Sequence, residues 1–143
     1  MRIVIDMQGA QTNSLISVIG SFTLKFTEAL IRNRGEHEII LVLNGLLSET
    51  IEAIRATFDG LLAQENIKVW HIPGPLKAVQ SENALRTEVA EMVRESFLAS
   101  LKPDVIHISS LFEGYLYDVV TSIGSFDTVT PVTVTLLAPP LNL

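Results

Sequence analysis

Cysteine is absent from this 143-residue chain. That absence removes a disulfide framework, a thiol nucleophile and the cysteine-ligated zinc and iron–sulfur sites. Basic residues are scarce too: 10 Lys and Arg stand against 16 Asp and Glu, a formal charge of −6. Duplex binding needs concentrated Lys and Arg to neutralise phosphates, so nucleic acid is not an expected partner. Long hydrophobic runs are missing as well. The longest, Ile39 to Leu43, falls far short of the roughly 20 apolar residues of a spanning helix, so no transmembrane segment is expected. The N-terminus opens on a strand-like run containing Asp6 rather than on a signal-type stretch, and a cytoplasmic location is expected.

Charged residues make up only 18% of the chain, whereas 48% is hydrophobic. Soluble domains usually carry about 25% charge. Part of this surface is therefore expected to be covered, and self-association of the chain through an exposed apolar cleft face follows as an expectation. The length suits one domain over residues 1–143 that buries roughly 70% of its unfolded surface. It is too short for an eight-fold α/β barrel, which takes about 250 residues.

Short β-branched runs alternate with stretches of helical period, as in a parallel sheet wrapped by helices. Ile3-Val4-Ile5, Ile39 to Leu43, Ile67 to Ile72, Val105 to Ile108 and Pro131 to Leu137 read as five strands. Between them, Ile19, Phe22, Phe26 and Leu30 form the apolar stripe of a first helix, which ends at Asn33-Arg34-Gly35. Ser48 caps a second helix with Ile51, Ile54 and Phe58 inward. A third is capped near Ser81, places Leu85, Val89, Met92 and Val93 inward, and stops before Pro103. The charges from Glu82 to Glu95 read as its solvated face. Ser110-Leu111-Phe112-Glu113 has the spacing of a capping box for a fourth helix carrying Leu116, Val119, Val120 and Ile123. The expected fold is α/β: a Rossmann-like open parallel sheet, three-layer α/β/α, with strand order 3-2-1-4-5.

In such a sheet ligands bind at the carboxyl ends of the strands where the order reverses. That nominates Asp6 through Thr12 and His107 through Glu113. Asp6 reads more simply as a turn-forming residue bonded to nearby backbone N–H groups. His107 needs a partner inside an apolar strand, in the fold or in a ligand. Ser110 and Glu113 are accounted for by the capping box, though the same helix start would favour a hydroxyl-rich ligand. Trp70 and the phenylalanines read as core. His37 and His71 lie on other strands with no ligand spacing to His107, so no metal is expected. Gly9 stands alone where a dinucleotide fingerprint would need three glycines, and no Walker A sequence is present. The loop after the first strand lacks the Ser, Thr and Gly run that would cradle a flavin phosphate, so no cofactor is expected.

Two stretches together resemble a known family. Met1-Arg2-Ile3-Val4-Ile5-Asp6-Met7-Gln8-Gly9-Ala10-Gln11-Thr12 is similar to the start of family 4 glycosyltransferases of the GT-B fold. Pro103-Asp104-Val105-Ile106-His107-Ile108-Ser109-Ser110-Leu111-Phe112-Glu113-Gly114 is similar to their fourth-strand segment. Ile67 to Trp70 and Pro131 to Thr135 fit the same register. The resemblance implies the N-terminal, acceptor-side half of a two-domain enzyme that transfers a sugar with retention, without a metal. A sugar or glycan acceptor would be held by Gly9, Thr12, Gly20, His107, Ser110 and Glu113. A nucleotide sugar would bind only if a second, donor-binding domain were supplied, and that domain is absent from these residues. The family's glycine-rich basic turn is replaced by Val18-Ile19-Gly20-Ser21, and Leu137-Ala138-Pro139-Pro140 carries no acid. A fragment without turnover of its own is therefore expected, because the resemblance leaves the stabilisation of a departing diphosphate to residues that are not here. The alternative is a non-catalytic Rossmann-like module that oligomerises.

Overall fold

A computed structural model of the chain describes residues 1–12 and 18–136. Five strands, β1 (Arg2–Asp6), β2 (Glu38–Asn44), β3 (Ile67–Trp70), β4 (Val105–Ile108) and β5 (Val132–Val134), form one sheet in the order β3-β2-β1-β4-β5. Every pairing is parallel, with Ile5 opposite both Leu41 and His107 and Asp6 opposite both Val42 and Ile108. Short β-branched runs suit a strand buried on both faces, and the sheet forms as expected. The expected Leu137 to Pro140 segment and its missing acid lie outside the described residues.

The helices are α1 (Gln8–Gln11), α2 (Val18–Arg32), α3 (Ile51–Thr57) and α4 (Ala84–Ser100). One face of the sheet packs Ile5, Leu41, Leu43 and Ile67 against Ile31 of α2, Ile54 of α3 and Phe58. The other packs Val4, Ile40, Val42, Ile106 and Ile108 against Ala90 and Leu98 of α4. Each such side chain, taken fully out of water, contributes roughly 1.5–3 kcal/mol, which fixes the three layers. Gly35 takes φ +57° just past α2, as a left-handed cap should. Ser48 and Ser81 open short 3₁₀ turns leading into α3 and α4, without the expected side-chain caps.

Three expectations about the helices are corrected. In α2 the buried residues are Gly20, Thr23, Thr27 and Ile31, whereas Phe22 and Phe26 are exposed. Small residues face inward because the helix sits close on the loop after β1: a Cβ on Gly9 would lie 3.1 Å from Thr23 Oγ1. In α4 the buried residues are Ala90, Arg94, Glu95 and Leu98, while Leu85, Val89 and Met92 point to solvent. The charges of Arg94 and Glu95 are therefore not on a solvated face. Only Val93 of the expected stripe packs against the core.

The fourth crossover helix does not form. After β4 there is one 3₁₀ turn, Glu113–Tyr115, and no helix between it and β5. Val119 and Val120 are buried, but Leu116 and Ile123 are exposed. The Ser110 hydroxyl donates to Glu113 Oε1 at 3.1 Å, a contact between side chains that leaves the backbone N–H groups of a would-be first turn without the capping-box bonds. Side chains from elsewhere take the backbone of this segment instead. Asn44 Nδ2 donates to Asp118 O, Gln8 Nε2 to Val120 O and Arg94 Nη1 to Ser122 O, while Phe126 N and Asp127 N donate to Glu95. Among the described residues no helix is long and apolar enough to cross a membrane.

Candidate functional site at the β1–β4 lip

The order of the sheet reverses between β1 and β4, so Asp6 and His107 end neighbouring parallel strands at the same lip. Their side chains leave on opposite faces, because Asp6 registers with Ile108 and His107 with Ile5. Asp6 points to the α4 side and His107 to the α2 side.

Asp6 is fully engaged. Its Oδ2 accepts from Arg94 Nε at 2.8 Å and from Gln8 Nε2 at 3.0 Å, and its Oδ1 accepts from Gln8 N at 3.0 Å. Arg94 Nη2 lies 2.7 Å from the same Oδ2, but its N–H groups are not aimed well enough for a hydrogen bond, so the contact is an ion pair only. Both side chains are 1% exposed. Buried charges persist only when paired and hydrogen-bonded, and here the second condition is met by Gln8 and by Ser122 O. The turn-forming reading of Asp6 holds, with a buried guanidinium added.

A polar network spreads from this pair. Gln8 Oε1 accepts from Asn44 Nδ2, Asn44 N donates to Gln11 Oε1, and Gln11 Nε2 donates to Asn44 O and Thr50 Oγ1. Asp118 Oδ1 accepts from Leu76 N. These bonds tie the ends of β1 and β2, the loop after β3 and the connection after β4 into one rim.

Gly9 is where the two nominated loops touch. Its N–H donates to Ser109 Oγ at 2.9 Å, and a Cβ there would stand 2.8 Å from that oxygen and 3.1 Å from Ser110 Cβ. Only glycine fits. Thr12 is buried, with its N–H bonded to Gln8 O, and Gly20 is buried in α2; both therefore lie beneath the lip surface. His107 is half-buried, with Nδ1 2.8 Å from Thr133 Oγ1, Nε2 2.8 Å from Thr135 Oγ1, and its ring tilted against Phe26 at 5.3 Å. Burial pushes its pKa below the ordinary 6.5, against the opposing pull of the Asp6 charge. The ring is thus neutral near pH 7, and both nitrogens already have partners. Ser110 is buried and bonded to half-buried Glu113.

The structure therefore joins Gly9, Ser110 and Glu113 at one place, sets Thr12 and Gly20 below it, and puts His107 on the α2 side of the same lip, opposite Asp6. Arg94 and Asn44 lie outside the two nominated segments, and Gln8 and Ser109 lie inside them without being named for a role. A signal for Arg94 was present: with Ala90 and Leu98 it occupies i, i+4 and i+8 on one side of α4. Asn44 is the polar end of an otherwise apolar strand. Among the described residues no group of three or more His, Asp or Glu side chains gathers around a metal-sized space.

No protein-family profile matches the chain, and no solved structure does. Sequence similarity to characterised enzymes is nonetheless clear. The chain is 32% identical over 116 residues to a serotype-specific mannosyltransferase WbdA of Escherichia coli, covering 80% of this chain and 14% of that protein. Two further Escherichia coli proteins of the same description are each 29% identical over 90 residues, or 62% of this chain and 11% of theirs. The chain thus spans about one-seventh or less of the length of the curated relatives it matches, and over that span it is related in sequence to glycosyltransferases.

Proposed function

We propose that this chain is the acceptor-side domain of a retaining, nucleotide-sugar-dependent hexosyltransferase of the GT-B kind, family 4, with mannosyl transfer as the reaction of the whole enzyme. The observation that carries this reading is the similarity to WbdA mannosyltransferases over 116 residues, found on a chain whose sheet reverses order where two loops meet at Gly9. In this reading residues 1–143 form one domain. The Glu113 carboxylate accepts hydrogen bonds from the hydroxyls of a sugar or glycan acceptor, with the Ser110 hydroxyl fixing its position. Gly9, Thr12 and Gly20 act beneath them by allowing the close packing that sets the position of the lip. His107 contributes as a neutral ring on the neighbouring face. No metal enters the scheme, and donor binding with stabilisation of the departing diphosphate belongs to a second domain.

A second reading is favoured by a different observation. Phe22, Phe26, Leu85, Val89 and Met92 are exposed on two helices, as in a non-catalytic module that oligomerises. Calorimetric titration separates the two. The acceptor reading expects a mannose-terminated oligosaccharide to bind the chain and a nucleotide-activated mannose not to. Binding of neither, with reversible oligomer formation, would favour the module; binding of the nucleotide sugar alone would contradict the acceptor role.

A further inference from the structure

The connection after β4 is anchored at one end and open at the other. From Asp118 to Asp127 it is held by Gln8, Asn44, Arg94 and Glu95, with Val119 and Val120 in the core. The preceding turn is also fixed in place: Ala78 N donates to Gly114 O at 3.0 Å and Val79 N to Tyr115 O at 2.9 Å. A Cβ on Gly114 would lie 2.8 Å from Val119 O, so the turn is folded tightly on its own continuation. On this rigid support Phe112 and Tyr115 are 62% and 61% exposed. They are three residues apart across a single 3₁₀ turn, a spacing that puts side chains on the same side. Among the described residues neither ring stacks on another, and neither belongs to the core.

We propose that Phe112 and Tyr115 form a stacking platform for one pyranose unit of a glycan acceptor, whose hydroxyls are taken by the Glu113 carboxylate on the same turn, which buried Ser110 holds in place. This rests on the acceptor reading above and names the subsite it uses. The chemistry of the segment selects the ligand. A pyranose has one face of C–H bonds, which suits the negative face of an aromatic ring, and a rim of hydroxyls that suits a carboxylate. Phosphate-rich ligands are disfavoured, since residues 109–117 include Glu113 and no Lys or Arg. An aliphatic ligand would have no use for the Glu113 carboxylate.

The test compares binding of a linear mannose oligosaccharide to the wild-type chain with binding to Phe112→Ala, Tyr115→Ala and the double variant, with Tyr115→Phe as the conservative control. Both side chains are largely in water, so the variants should fold, which a thermal melt verifies. The platform predicts at least tenfold weaker binding in the double variant and near-normal binding in Tyr115→Phe. It also predicts saturation transfer from aromatic protons to the sugar ring protons. A folded double variant that binds within twofold of wild type would overturn the platform and leave the acceptor reading standing. A wild-type chain that binds no glycan would overturn both.

Discussion

Arg94 reaches from the middle of α4 to hold Asp6 at the end of β1, with Nη2 2.7 Å and Nε 2.8 Å from a single carboxylate oxygen. The pair links the strand end that defines the lip to the helix layer behind it. Through Ser122 O it also anchors the irregular connection that carries Ser110 and Glu113. Removing one partner leaves a buried charge alone. Arg94→Met should cost about 3–5 kcal/mol in urea denaturation, and the double change Asp6→Asn with Arg94→Met should recover part of that loss. A loss below about 1 kcal/mol in the single variant would mean that the pair is not buried as described.

Gly9→Ala brings a methyl group to within 2.8 Å of Ser109 Oγ. Overpacking of this kind costs about 1–3 kcal/mol. Ser109→Ala, which only removes the acceptor of the Gly9 N–H, should cost about 1 kcal/mol. Denaturant midpoints for the two variants give the comparison, and the glycine change should be the worse.

The pH dependence follows from two groups of opposite charge type and the same sign of linkage. His107 has its pKa lowered mainly by burial, so the folded state resists protonation. Its contribution is complete above its ordinary 6.5 and declines as pH falls below that value. For Glu95, burial works to raise the pKa, but the Ser122 hydroxyl, Phe126 N, Asp127 N and the Arg94 charge together hold it below its ordinary 4.5. Its contribution is complete above 4.5 and is lost as pH falls through the depressed value. Urea midpoints should begin to fall below pH 6.5, and fall again below pH 4.5. His107→Gln should flatten the first step and Glu95→Gln the second. An unchanged pH profile in either variant would contradict the assignment.

Phe22 and Phe26 stack on each other at 5.9 Å on α2, and Phe26 also lies against the His107 ring at 5.3 Å. Phe22→Ser should cost about 1 kcal/mol of stability through the lost ring pair, and weaken the self-association expected from the exposed apolar surface. Sedimentation of wild type and variant at high micromolar concentration checks both. A wild-type chain that sediments as a monomer would remove the expectation altogether.

The strands and their order were legible because each is a short run dominated by β-branched and other apolar residues, most fully buried in Ile39 to Leu43. Helix orientation was not. In α2 the aromatic stripe outweighs Thr23 and Thr27 by hydrophobicity, but only small side chains allow the approach to Gly9. In α4 Arg94 reads as solvated until Asp6 supplies its partner from 88 positions away, a contact no local pattern contains. The absent fourth helix has the same cause. Ser110 and Glu113 match a helix start locally, and tertiary hydrogen bonds from Gln8, Asn44, Arg94 and Glu95 decide otherwise. Of the residues nominated for the site, Gly9, Ser110 and Glu113 meet, and His107 stands on the neighbouring strand end on the α2 side, where register puts it.

The central claim is that the lip where β1 and β4 end receives a glycan. Amide NMR of the labelled chain, titrated with a mannose oligosaccharide, tests this most directly. The account predicts saturable shifts at Gly9, Ser109, Ser110 and Glu113, with residues of α3 unmoved. Shifts confined to α3 and β3, or none at any concentration, would contradict it.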